Sequence, residues 1–346
     1  MKVQVNARNK SYQVEASDGE AILRAGLRCA VDLPYECGTG TCGTCKARLL
    51  GGELHDAWPQ APGKKYLKQP GEFLMCQCSA SSDAVIEVAN FVHATGAGAC
   101  VPQAFKGRLQ GFSMLTHDVA QLDIDLDRPM PFDAGQYALV SMPGIEGARG
   151  WSMVNFGIAP RRLRFVIKRK PGGGLSERLF GGGPVDGVEV DVFGPLGHAT
   201  FHPDNGKNLL CIAGGSGIAG MMSILSRAVQ DGYFQRFDGD LFFGVRTLRD
   251  AFFLDELATF VGEAGERLKV TVALSDEDVP AGASAHAAIR FDRGFVHEVA
   301  KRSMQGRFAN LRAFIAGPPP AVDSSIRFLL LEARVPADQI KYDKFS

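Results

Sequence analysis

Between Glu36 and Lys46 the chain reads ECGTGTCGTCK, which spaces Cys37, Cys42 and Cys45 as C-x4-C-x2-C; two more cysteines, Cys76 and Cys78, follow in the segment LMCQC. This is the ligand spacing of a plant-type [2Fe-2S] cluster. Three cysteines so close in sequence can reach one cluster only if the loop folds tightly back. Gly38, Gly40 and Gly43 supply that backbone freedom, and their uncovered amides can hydrogen-bond the sulfurs. A zinc site is the alternative, but zinc ribbons use paired C-x2-C spacings and this chain has one. The fourth ligand is Cys76 or Cys78; residues of alternate parity in an extended segment face opposite sides, so only one can serve. Such a cluster moves electrons singly and makes no bonds, so the rest of the chain must explain where they come from.

Two glycine-rich turns lie downstream. Gly172, Gly173, Gly174 and Ser176 lead into SERLF, which reads as a helix start, and LLCIA is followed by Gly214, Gly215, Ser216, Gly217 and an amphipathic stretch. A strand, a glycine turn and a helix can present backbone amides to a pyrophosphate, although such turns also serve packing alone. Arg149 and Trp151, in RGWSMVN, offer a guanidinium suited to a phosphate and an aromatic face suited to a flat heterocycle.

These groups need elements to carry them. A chain of 346 residues with 45% apolar residues and 41 glycines predicts two or three domains. Residues 1–92 read as a small α+β unit: alternating stretches at Val3, Val5, Ala7 and Tyr12, Val14, Ala16, then a helix from about Asp18 to Cys29. HATGAGACVPQ, residues 93–103, has the composition of a linker. Residues 104–205 show strands at short intervals (LDIDLD, YALVSM, LRFVIKRK, VEVDVFG), the pattern of an antiparallel barrel or sandwich. From 206 to 346 the rhythm alternates strand and helix (LLCIA, DLFFGV, LKVTVALS, RAFIAG, a helix around Ser324 to Arg334), which implies a parallel doubly wound sheet.

Lysine plus arginine equals aspartate plus glutamate, 38 of each, so no overall basic field attracts nucleic acid or anionic lipid. No apolar run approaches the roughly 20 residues of a membrane helix, and the N-terminus lacks the apolar core of a secretion signal. Eight cysteines without such a signal point to thiolate metal ligation in a reducing compartment, so a cytoplasmic location is expected, with no nucleic-acid or membrane partner.

The LMCQ segment resembles the closing-ligand segment of the plant-type ferredoxin domain in bacterial oxygenase reductases, which favours Cys76 and leaves Cys29, Cys78, Cys100 and Cys211 as ordinary thiols. GQYALV, RGWSMVN and GGGLSERL, in that order, resemble the flavin barrel of the ferredoxin-NADP reductase superfamily, with its motif of the type Arg-x-Tyr-Ser. The resemblance implies that Arg149 pairs with the flavin pyrophosphate, Trp151 (where relatives carry Tyr) lies against the isoalloxazine, Ser152 bonds its redox-active edge, and the Gly173, Gly174, Ser176 turn holds the second half of the pyrophosphate. Gly214, Gly215 and Gly217 resemble that superfamily's nicotinamide motif G-G-x-G-[IL]-A-P, with Gly220 at the position of the usual Pro. Arg246, in FFGVRTLRDAFFLDEL, falls near the adenosine ribose, and Gly317 and Pro318, in AGPPPAVD, fall near the nicotinamide, with Ala316 where relatives carry Cys. Phe345, in the terminal YDKFS, falls where relatives place an aromatic at the flavin face; a residue plugging the core fits that position equally.

Taken over the whole chain, the resemblance is to the reductase component of a bacterial multicomponent oxygenase, in the order ferredoxin, FAD domain, NAD(P)H domain. It implies an NAD(P)H:acceptor oxidoreductase, with NADH preferred and NADPH an alternative. Electrons would pass from NADH to FAD to the [2Fe-2S] cluster and on to a Rieske dioxygenase, a diiron monooxygenase or a separate ferredoxin, in systems such as those of aromatic hydrocarbon catabolism. The resemblance favours FAD over FMN, because relatives with an N-terminal ferredoxin use it and the two pyrophosphate-binding elements it implies, Arg149 and the Gly172 to Ser176 turn, fit a dinucleotide. Two rivals stand beside this reading. One is a self-sufficient flavoenzyme like the deoxysugar reductases, and the other a zinc-holding, non-catalytic module.

Overall fold

The computed structural model describes residues 1–96, 98–280 and 286–345, and the three patterns read from sequence become three sheets. The first has the strand order Ser11–Glu15, Lys2–Ala7, Ala84–Val88, Lys46–Gly51, Glu72–Leu74, antiparallel except for the central pairing of Lys2–Ala7 with Ala84–Val88. Val3, Val5, Val14, Ile86 and Val88 turn inward from it onto Ile22, Leu23 and Leu27 of the helix Ile22–Arg28, giving a β-grasp unit. That helix starts at Ile22, four residues after the Asp18 at which the sequence pattern places its start. Ala21 is held extended by a bridge to Ser79, while Glu20 accepts from the Ser17 amide and pairs with Arg28, so the chain cannot turn helical before Ile22.

The second sheet is antiparallel throughout, in the order Arg149–Ser152, Tyr137–Ser141, Glu189–Leu196, Gln103–Met114, Val119–Leu126, Arg162–Lys168. An isolated bridge from Met153 to Phe165 links its two edges, so the sheet closes nearly into a barrel. Two residues of the segment read as a linker, His93 and Ala94, pair with Asp32 and Val31 in a short ribbon.

The third sheet is wholly parallel: Ile289–Arg293, Leu268–Leu274, Gly239–Val245, Asn208–Gly214, Leu311–Gly317, Ile340–Lys344. Its central strands are apolar on both faces, as a sheet covered by helices on both sides requires. Cys211 and Ala213 pack toward the helices Ile218–Gln230 and Leu254–Ala264, whereas Leu210 and Ile212 pack toward Val296–Ser303 and Pro319–Leu331. The last helix begins at Pro319, earlier than the amphipathic pattern suggests, because prolines without a backbone donor suit a first helical turn. Strand order reverses at Asn208–Gly214, which places a crevice at its carboxyl end, beside Gly317. Among the described residues no helix is long and apolar enough to cross a membrane.

Candidate functional site

The cysteine loop folds around left-handed glycines, with φ of 65° at Gly38, 86° at Gly40 and 79° at Gly43. Gly43 is doubly required, since a Cβ there would also lie 2.5 Å from Tyr66 Cδ2. The fold then sorts the sulfurs into two contacting pairs, Cys37 with Cys42 and Cys45 with Cys76. Among the described residues, no three of these sulfurs lie within 4.8 Å of one another. Four thiolates on one zinc, each about 2.3 Å from the metal, would all sit closer than that, so the arrangement fits two metal ions and not one. In the first pair the Cys42 thiol donates to Cys37 and holds its pKa down, to about 4, with help from Thr41 and Thr39. In the second, Cys45 does the same for Cys76, which also accepts from Gln77 Nε2 at 3.3 Å. The amides of Thr39 and Thr44 point at Cys37 and Cys42, at 3.4 and 3.5 Å. Cys78 lies apart in the strand Cys78–Ala80, its thiol pushed up to about 12 by burial and the charge of Asp56.

The back of this loop seats directly on the barrel. A Cβ on Gly38 would be 3.2 Å from Leu139 Cδ1, and the buried apolar residues of the first unit run continuously into Tyr137, Leu139, Phe193 and Leu196. Two tyrosines fasten the joint. Tyr137 donates its hydroxyl to the carbonyl of Glu36, next to Cys37, and the Gly197 amide donates to Tyr35 Oη at 3.0 Å. Burial raises both phenols well above the usual tyrosine range, so each stays protonated.

Beside the loop opens a cavity of about 480 Å³. Cys37, Thr39 and Thr41 line one side, and Arg149, Trp151 and the Gly172–Ser176 turn line the other. Arg149 Nη1 donates only to the carbonyls of Glu146 and Ala148, at 3.3 and 3.1 Å, and among the described residues no carboxylate pairs with it. A cation so placed is suited to an anionic group in the cavity. Trp151 is largely buried against Phe165, with ring centroids 5.7 Å apart, and shows the cavity only part of its ring. Ser176 spends its hydroxyl on closing the glycine turn, accepting from Lys170 N at 3.1 Å and lying 3.0 Å from Lys170 O. Gly173 and Gly174 therefore offer backbone, and Ser176 shapes it. Ser152 is buried outside this lining, below Gly220, whose absent Cβ would come within 3.8 Å of it.

A second cavity, about 420 Å³, occupies the crevice at the sheet's switch point. Gly214, Gly215, Arg246, Gly317 and Pro318 line it, whereas Gly217 lies behind the wall, where a Cβ would strike the Ala316 carbonyl at 2.4 Å. Lys168 and Phe345 line both cavities. Phe345 is held there by its amide, which donates to the Gly317 carbonyl at 3.0 Å. Residues not singled out by sequence also contribute: Tyr35, Tyr137, Lys168, the exposed Phe295 in the second cavity, and Asp343, beside the first. Burial, with the nearby Glu36 carboxylate, pushes the Asp343 carboxyl up to about 7.

Comparison with known proteins matches residues 5–81 to the 2Fe-2S iron-sulfur cluster binding domain and residues 211–325 to the oxidoreductase NAD-binding domain. The chain is 32% identical over 348 residues to the ferredoxin–NAD(+) reductase component of the alkene monooxygenase system of Xanthobacter autotrophicus, covering 97% of this chain and 99% of the relative. This chain belongs to the ferredoxin–NAD(P)+ reductase family of bacterial multicomponent oxygenase systems. The reductase is also 31% identical to the ferredoxin–NAD(P)+ reductase CarAd of Metapseudomonas resinovorans, over 94% of this chain and 95% of that one. Its fold superposes on the ferredoxin reductase in carbazole 1,9a-dioxygenase with a TM-score of 0.81 at 30% identity, covering 100% of this chain and 99% of that one. It thus fuses a ferredoxin domain that binds a 2Fe-2S cluster to a flavin and nicotinamide module, and it is an oxidoreductase.

Proposed function

We propose that this reductase draws electrons from NADH and delivers them singly, through FAD and a [2Fe-2S] cluster, to a terminal oxygenase or to that oxygenase's ferredoxin. One observation carries the reading: the cysteine loop and the two cavities form a continuous series, Cys37 lining the first cavity and Phe345 with Lys168 bordering both. NADH supplies two electrons together, the cluster accepts one at a time, and a flavin, stable at three oxidation levels, mediates between them.

In this reading Cys37 and Cys42 would hold one iron and Cys45 and Cys76 the other. The amides of Thr39 and Thr44 and the Gln77 side chain would stabilise charge on the sulfurs. Arg149 would neutralise the FAD diphosphate from one side while the backbone of Gly173 and Gly174 binds it from the other. Trp151 would present its ring edge to the flavin, and Ser152 would steady the wall behind it. Phe345 would cover the flavin face that meets the second cavity and exclude water there. Gly214, Gly215, Gly317 and Pro318 would receive the dinucleotide, with Gly217 keeping the crevice narrow.

NADH is favoured over NADPH because Asp276 and Glu277 follow the neighbouring strand close to the Arg246 turn: the Asp276 amide donates to the Arg246 carbonyl at 2.9 Å, and the Glu277 carboxylate accepts from the Leu248 amide. Carboxylates there disfavour a 2′-phosphate and suit a ribose hydroxyl. Free thiolate ligands of this kind are compatible with a reducing cytoplasm. Relatives belong to alkene, phenol and propane monooxygenase systems and to carbazole 1,9a-dioxygenase, so either a mono- or a dioxygenase is a fitting acceptor.

The test is the visible spectrum of the purified protein under argon, before and after NADH. Overlapping flavin and iron-sulfur bands that bleach on NADH, with two irons and two labile sulfides per chain, are expected. Protein without labile sulfide, or a cluster that NADH leaves oxidised, would refute the path.

A further inference from the structure

We propose that the electron acceptor docks through an acidic surface onto the face made by Tyr66, Lys65 and Lys68. The inference rests on the electron path above and adds the place where the electron leaves.

The cysteine loop has two sides. Its Cys37 to Thr41 side lines the first cavity, so an exit must use the other. The turn Pro62–Tyr66 runs from the cavity rim, which Pro62 lines, across the loop to that other side: the Gly63 amide donates to the Gly40 carbonyl at 2.8 Å, and the Tyr66 ring, outside the cavity lining, lies on Gly43, between Cys42 and Cys45. Tyr66 is 46% exposed, so this ring is solvent-facing surface in direct contact with the ligand loop.

Charge on this face is lopsided. From Asp56 to Gly71 the chain has one carboxylate, Asp56, and three lysines, Lys64, Lys65 and Lys68. Asp56 is taken by Lys64. The next carboxylate, Glu72, is drawn inward, its side chain 9% exposed, and is satisfied by Lys46 at 3.1 Å and by the Lys68 and Gln69 amides. Lys65 and Lys68 are left without an ion pair among the described residues, and Lys65 Nζ lies 5.0 Å from the Tyr66 ring centroid. Since the chain as a whole carries no net charge, this excess is local. An exposed aromatic flanked by unpaired cations suits a carboxylate-rich surface, which would be steered toward the cluster and held by a ring that packs at low entropic cost.

The test uses the complete holoprotein with cytochrome b5, an acidic haem protein, and cytochrome c, a basic one, as acceptors. Each NADH oxidised to NAD+ and a proton reduces two haem irons from the ferric to the ferrous state. Reversing both charges in Lys65→Glu/Lys68→Glu should lower kcat/KM for cytochrome b5 at low salt by about ten-fold, an effect that salt erases. The same variant should reduce cytochrome c faster than the parent, with ferricyanide reduction and NADH bleaching of the cluster unchanged. Lys269→Glu, a single charge reversal on the exposed start of a nicotinamide-domain strand, should leave cytochrome b5 turnover as it was. Bleaching intact but cytochrome b5 turnover unaltered in the double variant, or lowered as much by Lys269→Glu, overturns the docking face alone. Failure of NADH to bleach the cluster in the parent overturns the electron path, and the docking face with it.

Discussion

Replacing Tyr35 with Phe should loosen the joint between ferredoxin domain and barrel more than replacing Tyr137 does, although each change removes one hydroxyl from a buried ring. The difference lies in the partner left behind. Tyr35 Oη accepts the Gly197 amide inside the protein, so Tyr35→Phe strands a buried N–H donor at a cost of about 1–3 kcal/mol. Tyr137 Oη donates to the Glu36 carbonyl in a half-buried position that water can reach, so its loss costs nearer the net worth of an ordinary hydrogen bond, about 1 kcal/mol. If opening of the joint governs amide exchange, protection should fall by roughly five-fold for Tyr137→Phe and by up to about a hundred-fold for Tyr35→Phe. The assay is hydrogen–deuterium exchange of the holoprotein, read on peptides covering residues 31–42 and 194–200. Peptides from the sheet centre at 208–214 serve as an internal reference and should not move. Equal losses for the two variants, or a loss spread evenly over the reference peptides, would refute the assignment of these hydroxyls to the joint.

Cys76→Ser should lower iron and labile sulfide sharply, whereas Cys78→Ser should keep both, since only the Cys76 sulfur meets Cys45; colorimetric iron content decides. Arg149→Ala should yield protein poor in flavin but with its cluster absorbance intact, because the lost cation lines the cavity and makes no ion pair among the described residues. Undiminished flavin content would count against that role. Asp343→Asn probes a carboxyl whose folded pKa is raised to about 7, so its folded state favours the proton. The wild-type contribution is fully present below the unfolded carboxylate range near pH 4 and is lost as pH rises through about 7. The variant should therefore gain thermal stability relative to wild type on going from pH 5 to pH 8, and a melting-temperature difference independent of pH would exclude the buried-carboxyl account.

What sequence made legible was local. The C-x4-C-x2-C loop, the strand alternation at LDIDLD and the strand–glycine–helix unit after LLCIA each encode their geometry within a dozen residues, and each appears where it was expected. Period and glycine placement suffice because backbone sterics act over neighbouring residues. The choice between Cys76 and Cys78 was open to parity alone; the fold separates them by aiming one sulfur at Cys45 and pairing the other's strand with Leu54–Asp56. Ser176 shows the opposite case. Its position after three glycines suggests a ligand contact, yet its hydroxyl is consumed within the turn, something only the three-dimensional path of Lys170 reveals.

The joint between the units was not legible because its members look like ordinary core residues when read one at a time. Tyr35 sits two positions before Cys37, Tyr137 opens a barrel strand, and the closing strand Ile340–Lys344 carries neither a long apolar run nor a glycine turn. Their meaning is in their convergence. The closing strand pairs with Leu311–Gly317 in the third sheet, so its Tyr342 comes within 3.4 Å of Glu36 in the first unit and the residue just past its end, Phe345, lies between the two cavities. A single short element therefore touches the ferredoxin loop, the first cavity and the second. For a molecule that must move electrons from paired to single carriers, such an element fixes the spacing of all three sites at once, because a displacement of the strand would change each of them together.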